Sequence, residues 1–266
     1  MRLGACLLTL ATPEDPLGVQ FIGPLKQAGY DYAEVSLARV LAQTDEQIAA
    51  YRKLFSDVDL PVEAFNNSIP SGLPLVGPNF DKKVLCSYIE RAVAVARQFG
   101  VRIITMCGPI RDWVPADFDW SVGFEQYVEF MKMYADEAAK YDILLAIEPI
   151  NSEENGFIST VGEACKVIEA CGRENIKVIV DFYHFFKQND NWEQLMKLSG
   201  TMICHAHYAA QARRSFPLPA DEEECRKVLR PFIDAGFNGR ISVEAKTPNP
   251  LADIPQTCAV MRSVIG

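Results

Sequence analysis

The chain has no Cys-x-x-Cys pair and only three histidines in 266 residues. It also has no apolar run approaching the ~20 residues that span a bilayer. Its eight cysteines, Cys6, Cys86, Cys107, Cys165, Cys171, Cys204, Cys225 and Cys258, are scattered without zinc-knuckle or disulfide-frame spacing. They read as reduced thiols of a cytoplasmic protein. Basic residues are outnumbered, 26 Lys and Arg against 35 Asp and Glu, for a formal net charge of -9. Nucleic-acid binding rests on clustered cations that release counterions, so that balance argues against a phosphate-rich polymer partner. The apolar stretch at residues 1–10 is short and no cleavage-site pattern follows it, which makes it a first strand rather than an export signal. No linker, charge block or low-complexity segment divides the chain, and its length suits one α/β barrel domain over residues 1–266.

What is present is alternation. Short β-branched runs recur between longer segments of helical periodicity, the pattern of stacked βα units feeding a parallel sheet. Eight candidate strands follow from it, at 3–10, 32–36, 62–65, 102–107, 144–150, 177–182, 202–207 and 240–245, so the fold class is α/β, a single (β/α)8 barrel. Gly29, Gly100, Gly172 and Gly236 stop helices just ahead of strands. Thr44-Asp-Glu-Gln47 and Ser159-Thr-Val-Gly-Glu163 have the make-up of helix starts. Two longer loops, 66–79 and 108–121, follow strands and so belong over the catalytic face as candidate lids.

In such a barrel chemistry sits at the C-terminal strand ends. Four strands close on polar residues there: Glu148 on the fifth, Asp181 on the sixth, His205 and His207 on the seventh, and Glu244 on the eighth. Strand alternation places Glu148 inward with Ala146, Glu244 inward with Ser242, and Asp181 inward with Ile179. One acidic residue at a strand end is usually a helix cap or a salt-bridge partner. Glu, Asp, His and Glu from four consecutive strands instead make an oxygen-rich cage with one imidazole, whose hardness suits Mn²⁺, Mg²⁺ or Co²⁺ better than a structural zinc. All three histidines, His184, His205 and His207, fall in or just after strands six and seven. His205, two residues deeper than His207 on the same face, reads as a packed, hydrogen-bonded neighbour of the cage.

These residues resemble the xylose-isomerase-like TIM barrel superfamily, and within it the D-tagatose 3-epimerase and sugar-phosphate isomerase/epimerase branch. The resemblance is carried by Glu148-Pro-Ile-Asn151 with Glu154, by Asp181-Phe-Tyr-His184, by His207 with Arg213 at the branch's spacing, and by Gly239-Arg-Ile-Ser-Val-Glu244. It implies one divalent metal, Mn²⁺ first with Co²⁺, Mg²⁺ and Zn²⁺ as alternatives, held by Glu148, Asp181, His207 and Glu244. Glu148 and Glu244 would double as acid/base groups. Glu154, His184 and Arg213 would hold a small carbohydrate. The implied activity is isomerisation or epimerisation of a ketose-type sugar, by proton abstraction next to a carbonyl with a metal-stabilised enediolate.

The run Arg214-Ser-Phe-Pro-Leu-Pro-Ala220 departs from the branch's Pro-Gly-rich stretch and predicts a reshaped pocket rim. Lys246 shares the inward parity of Glu244, to touch substrate or to neutralise the cage. Trp113, Phe157 and Phe216 stand on catalytic-face loops, where an aromatic either packs on a sugar ring or anchors its own loop. The same metal site would also serve an inositol-pathway dehydratase or isomerase or a carbon-glycoside lyase. An abasic-site endonuclease would need more histidines and a basic groove, and a non-catalytic barrel would use the cage structurally. No membrane partner is expected, and a homo-oligomer is left open.

Overall fold

The computed structural model describes residues 1–107, 115, 117–154 and 157–266. Eight strands, β1 (Arg2–Cys6), β2 (Tyr32–Ser36), β3 (Val62–Asn66), β4 (Ile103–Cys107), β5 (Leu144–Glu148), β6 (Ile176–Asp181), β7 (Ile203–Tyr208) and β8 (Arg240–Val243), pair in parallel and in sequence order. β8 returns to β1, which makes a closed (β/α)8 TIM barrel. The described helices are α1 (Ile22–Ala28), α2 (Leu37–Leu41), α3 (Asp45–Val58), α4 (Lys82–Phe99), α5 (Trp120–Ala139), α6 (Val161–Cys171), α7 (Phe182–Lys187), α8 (Trp192–Leu198), α9 (Glu222–Asp234) and α10 (Pro250–Ile265). Among the described residues no helix is long and apolar enough to cross a membrane, and all eight cysteines are free thiols.

The helix signals act as the sequence indicates. Thr44 and Thr160 cap α3 and α6 in reciprocal boxes with Gln47 and Glu163. Gly29, Gly100 and Gly172 end α1, α4 and α6 in the left-handed conformation, which costs glycine nothing. Strand ends differ from expectation in two places that matter for the site. β1 stops at Cys6, where the Thr9 hydroxyl bonds the Cys6 carbonyl (2.9 Å) and residues 7–9 wind into a 3-10 turn. β5 stops at Glu148 because Pro149 has no N–H to extend the ladder.

Two apolar layers follow from strand alternation. Leu145, Ile147, Val178, Val180, Ala206, Ile241 and Val243 face the helices in the main core. Ala64, Ile103, Ala146 and Ile179 form a separate small cluster inside the barrel. The Tyr32 ring also lies inside, its hydroxyl 2.9 Å from that of Ser242. A Cβ on Gly4 would fall 2.3 Å from that ring, so only glycine fits there. Above this plug the same parity delivers the polar side chains to the C-terminal mouth.

Candidate metal centre

Glu148, Asp181, His207 and Glu244 come together at that mouth, each offering a ligand atom within 4.8 Å of all the others. All four are buried, at most 9% exposed. Three carboxylates so close repel one another, by about 4 kcal/mol per pair at ~4 Å and an effective dielectric constant near 20. The consequence shows in Asp181: burial, and then the charge on Glu244, hold its carboxyl well above the usual carboxylate range. Glu244 itself goes the other way, because His207 and Arg214 outweigh the cost of its burial.

His207 supplies the test of whether a cation fits. Its Nε2 is 2.9 Å from Glu34 Oε1. Its Nδ1 is buried and has no hydrogen-bond partner among the described residues, and it faces Glu148 Oε1 at 3.5 Å and Glu244 Oε2 at 3.6 Å. A bare imidazole nitrogen aimed at three crowded carboxylates is a donor set for a hard divalent ion. Without one, burial works against the charged ring, but Glu34 and Glu244 outweigh it and hold His207 well above the ordinary histidine value.

The surrounding groups are fixed by local structure. Asp181 caps α7, its Oδ1 accepting from the Tyr183 N–H (2.8 Å), which leaves Oδ2 to the cage. One turn on, His184 lies with Nε2 3.7 Å from that oxygen. Around the neutral His184 ring the Asn151 amide nitrogen stands 2.6 Å from Nδ1 while donating to Glu154 Oε1 (3.0 Å), and the Arg214 guanidinium stands 3.3 Å from Nε2. Burial pulls the His184 pKa down and favours that neutral form. On the opposite wall Cys6 Sγ sits 3.6 Å from Glu244 Oε1 and accepts from Asn66 Nδ2 (2.7 Å). Cys107 lies beside Glu148 across the β4–β5 pairing. Burial, reinforced by Glu244 for Cys6 and by Glu148 for Cys107, raises both thiols, the second to about 12. They are neutral side chains, not nucleophiles.

The xylose isomerase-like TIM barrel model matches residues 22–264. The chain belongs to that family. Among its relatives, D-psicose 3-epimerase of Agrobacterium fabrum is 23% identical over 208 residues, covering 73% of this chain and 68% of that one. A putative hydroxypyruvate isomerase of Xenopus laevis is 26% identical over 162 residues, 59% of each chain. The crystal structure of apo 3-keto-D-glucoside 4-epimerase from E. coli superposes with a TM-score of 0.79 at 16% identity, covering 99% of both chains. At that identity the superposition speaks for the fold alone.

Other sequence expectations are placed differently within this family frame. Arg213 does not enter the cage: it turns outward, 59% exposed at the side chain, onto Asp221 at 3.0 and 3.2 Å. The guanidinium that does enter belongs to Arg214, 2.9 Å from Glu244 Oε2, 3.4 Å from Asp181 Oδ2 and 3.7 Å from Glu154 Oε2, over the Tyr183 ring at 4.5 Å. The reason is backbone geometry. Arg214 adopts a left-handed φ of 45°, and its carbonyl accepts from the Lys246 N–H (3.0 Å) while the Phe216 N–H donates to the Lys246 carbonyl (3.2 Å). That pinning fixes the loop so that Arg214 rather than Arg213 reaches the cage in this structure. Lys246 contributes through its main chain, and its side chain is exposed.

Phe157 packs on Trp120 and Tyr127, and Phe216 is buried, so both anchor their loops. Trp113 and most of the second candidate lid lie outside the described residues. Glu34, the buried partner of His207, is absent from the sequence expectations. Its signal is a charge set between Ala33 and Val35 in a five-residue strand whose residues are all buried.

Proposed function

We propose that this protein is a divalent-metal-dependent isomerase or epimerase of small ketose-type sugars, with Glu148, Asp181, His207 and Glu244 as ligands. The observation that carries the reading is the unpartnered His207 Nδ1 facing three buried carboxylates. Bound there, a divalent cation supplies electrophilic stabilisation of negative charge on a carbonyl oxygen and its neighbouring hydroxyl. The chain's own residues move the proton. Glu148 and Glu244 stand on β5 and just beyond β8, with β6 and β7 between them, so their carboxylates flank whatever occupies the mouth. If one oxygen removes the proton α to the carbonyl and the other returns it from the far side, that carbon inverts; return to the adjacent carbon isomerises. The Arg214 guanidinium, within reach of His184 Nε2 and Glu244, is a donor suited to orienting substrate oxygens. The names of the curated relatives, a sugar epimerase and a putative hydroxypyruvate isomerase, agree with this chemistry class.

The test is solvent exchange in D₂O over a panel of free and phosphorylated ketoses and hydroxypyruvate, followed by proton NMR with Mg²⁺ in the site. At least one substrate is expected to incorporate deuterium at a single carbon next to its carbonyl, and chelator should stop it. No exchange into any member of the panel sinks the reading.

The displacement of Arg213 by Arg214 gives a separate prediction. Losing a charged hydrogen-bond donor costs about 1.5–3 kcal/mol, so Arg214→Ala should raise KM roughly 10- to 100-fold. Arg213→Ala should change it less than about twofold, as befits an exposed ion pair. Steady-state kinetics of the two variants decides, and the reverse ranking would return the role to Arg213.

A further inference from the structure

The Glu34 carboxylate on β2 is completely buried, away from solvent. A buried carboxylate persists only when fully paired. Here the pairing crosses the barrel interior to β7: Oε2 lies 2.8 Å from His205 Nε2 and Oε1 lies 2.9 Å from His207 Nε2. All three side chains are inaccessible. An ionised carboxylate has lone pairs and no proton, so both imidazoles must donate to it from Nε2. A neutral His207 whose proton is held on Nε2 has its free lone pair on Nδ1, the atom that lies bare before Glu148 and Glu244.

We propose that Glu34 is a positioning residue that fixes the tautomer and ring orientation of His207, making Nδ1 the nitrogen presented to the cation, and that His205 holds the carboxylate plane by occupying its second oxygen. The histidines stand two residues apart on one face of β7 and grip both oxygens of a single carboxylate, so Glu34 cannot rotate without breaking one bond. Neither histidine then has freedom to turn its ring. This inference rests on the metal reading of the cage. It adds that the coordinating nitrogen is chosen from below by a residue that never reaches the metal or the substrate. A cation held instead between Glu34, His205 and His207, which also lie close enough to share one, would leave the carboxylates of Glu148, Asp181 and Glu244 crowded and largely uncompensated.

The chain has only three histidines, so ¹⁵N-histidine labelling gives a tractable long-range ¹H–¹⁵N spectrum. In the Zn²⁺-loaded wild type, His207 is expected to show metal on Nδ1 and a proton on Nε2. In Glu34→Gln the amide can accept from only one ring and carries no charge, and Mn²⁺ affinity measured by titration calorimetry should fall about 10- to 100-fold, with the circular dichroism of the fold retained. His205→Leu, which has no donor and so frees one oxygen of Glu34, should weaken Mn²⁺ binding in the same direction and less. Coordination of the wild type through His207 Nε2, or Mn²⁺ affinity of Glu34→Gln within twofold of wild type, overturns the proposal and leaves the metal site standing. If Glu34→Gln does not fold, the wild-type spectrum still decides between the two nitrogens. Failure of the wild type to bind any cation removes the metal reading and this inference together.

Discussion

Glu244→Gln is expected to fold and to lose turnover by a factor of about 10²–10⁴, the range that a positioned acid/base group contributes. The substitution keeps the shape of the side chain and removes one of the three negative charges crowding the cage. It also removes the ion pair with Arg214 at 2.9 Å. Relief of repulsion and loss of that pair act in opposite directions, so the melting temperature of the cation-free variant should move by only a few degrees. The kcat of purified variant with saturating Mn²⁺, set beside its thermal melt, separates a chemical role from a structural one. A wild-type kcat would remove Glu244 from the acid/base pair. A variant that fails to fold would mean that the cage is primarily scaffold, as a non-catalytic barrel requires.

Removal of the cation has the second large effect. Chelator-treated protein should lose all turnover and regain it with Mn²⁺ or Co²⁺. A ligand present at a hundred times its Kd stabilises by about 2.7 kcal/mol, roughly 5–10 °C in Tm for a chain of this size. The pH dependence has a definite sign. Asp181 and His207 bind protons more tightly in the cation-free fold than when unfolded. That stabilisation is present at low pH and is lost as pH rises through their raised values. A cation replaces those protons, so the rise in Tm on adding Mn²⁺ should be larger on the alkaline side of neutrality than on the acid side. A rise that shrinks with pH, or activity that survives chelation, contradicts the account.

The fold was readable because strand parity and helix punctuation are local. Ala146 beside Glu148, or Ser242 beside Glu244, reports which face a side chain takes without knowledge of its neighbours. The four cage residues were legible for the same reason, each being a polar residue closing an apolar strand. Arg214 was not, because its entry depends on a left-handed backbone at a non-glycine position and on main-chain bonds to Lys246 thirty-two positions away, and no local pattern announces either. Glu34 was missed for a different reason. Its partners lie across the interior on β7, so its significance is a property of the closed barrel, although a carboxylate in the middle of a buried strand is itself a warning. The strand ends at Cys6 and Glu148 illustrate the usual limit: a propensity run overshoots until a proline or a side-chain bond to the main chain stops it.

The charges around the mouth are unevenly shared. Glu148, Asp181, His207 and Glu244 come from the second half of the barrel, whereas β1, β3 and β4 end in the uncharged Cys6, Asn66 and Cys107. Uncharged replacements at those three positions would reshape the cavity wall without placing a new charge beside Glu244 and Glu148, which Cys6 and Cys107 abut. The wall built by β1, β3 and β4, with Glu34 of β2 left in place, is therefore where the shape of the mouth can change separately from its charge.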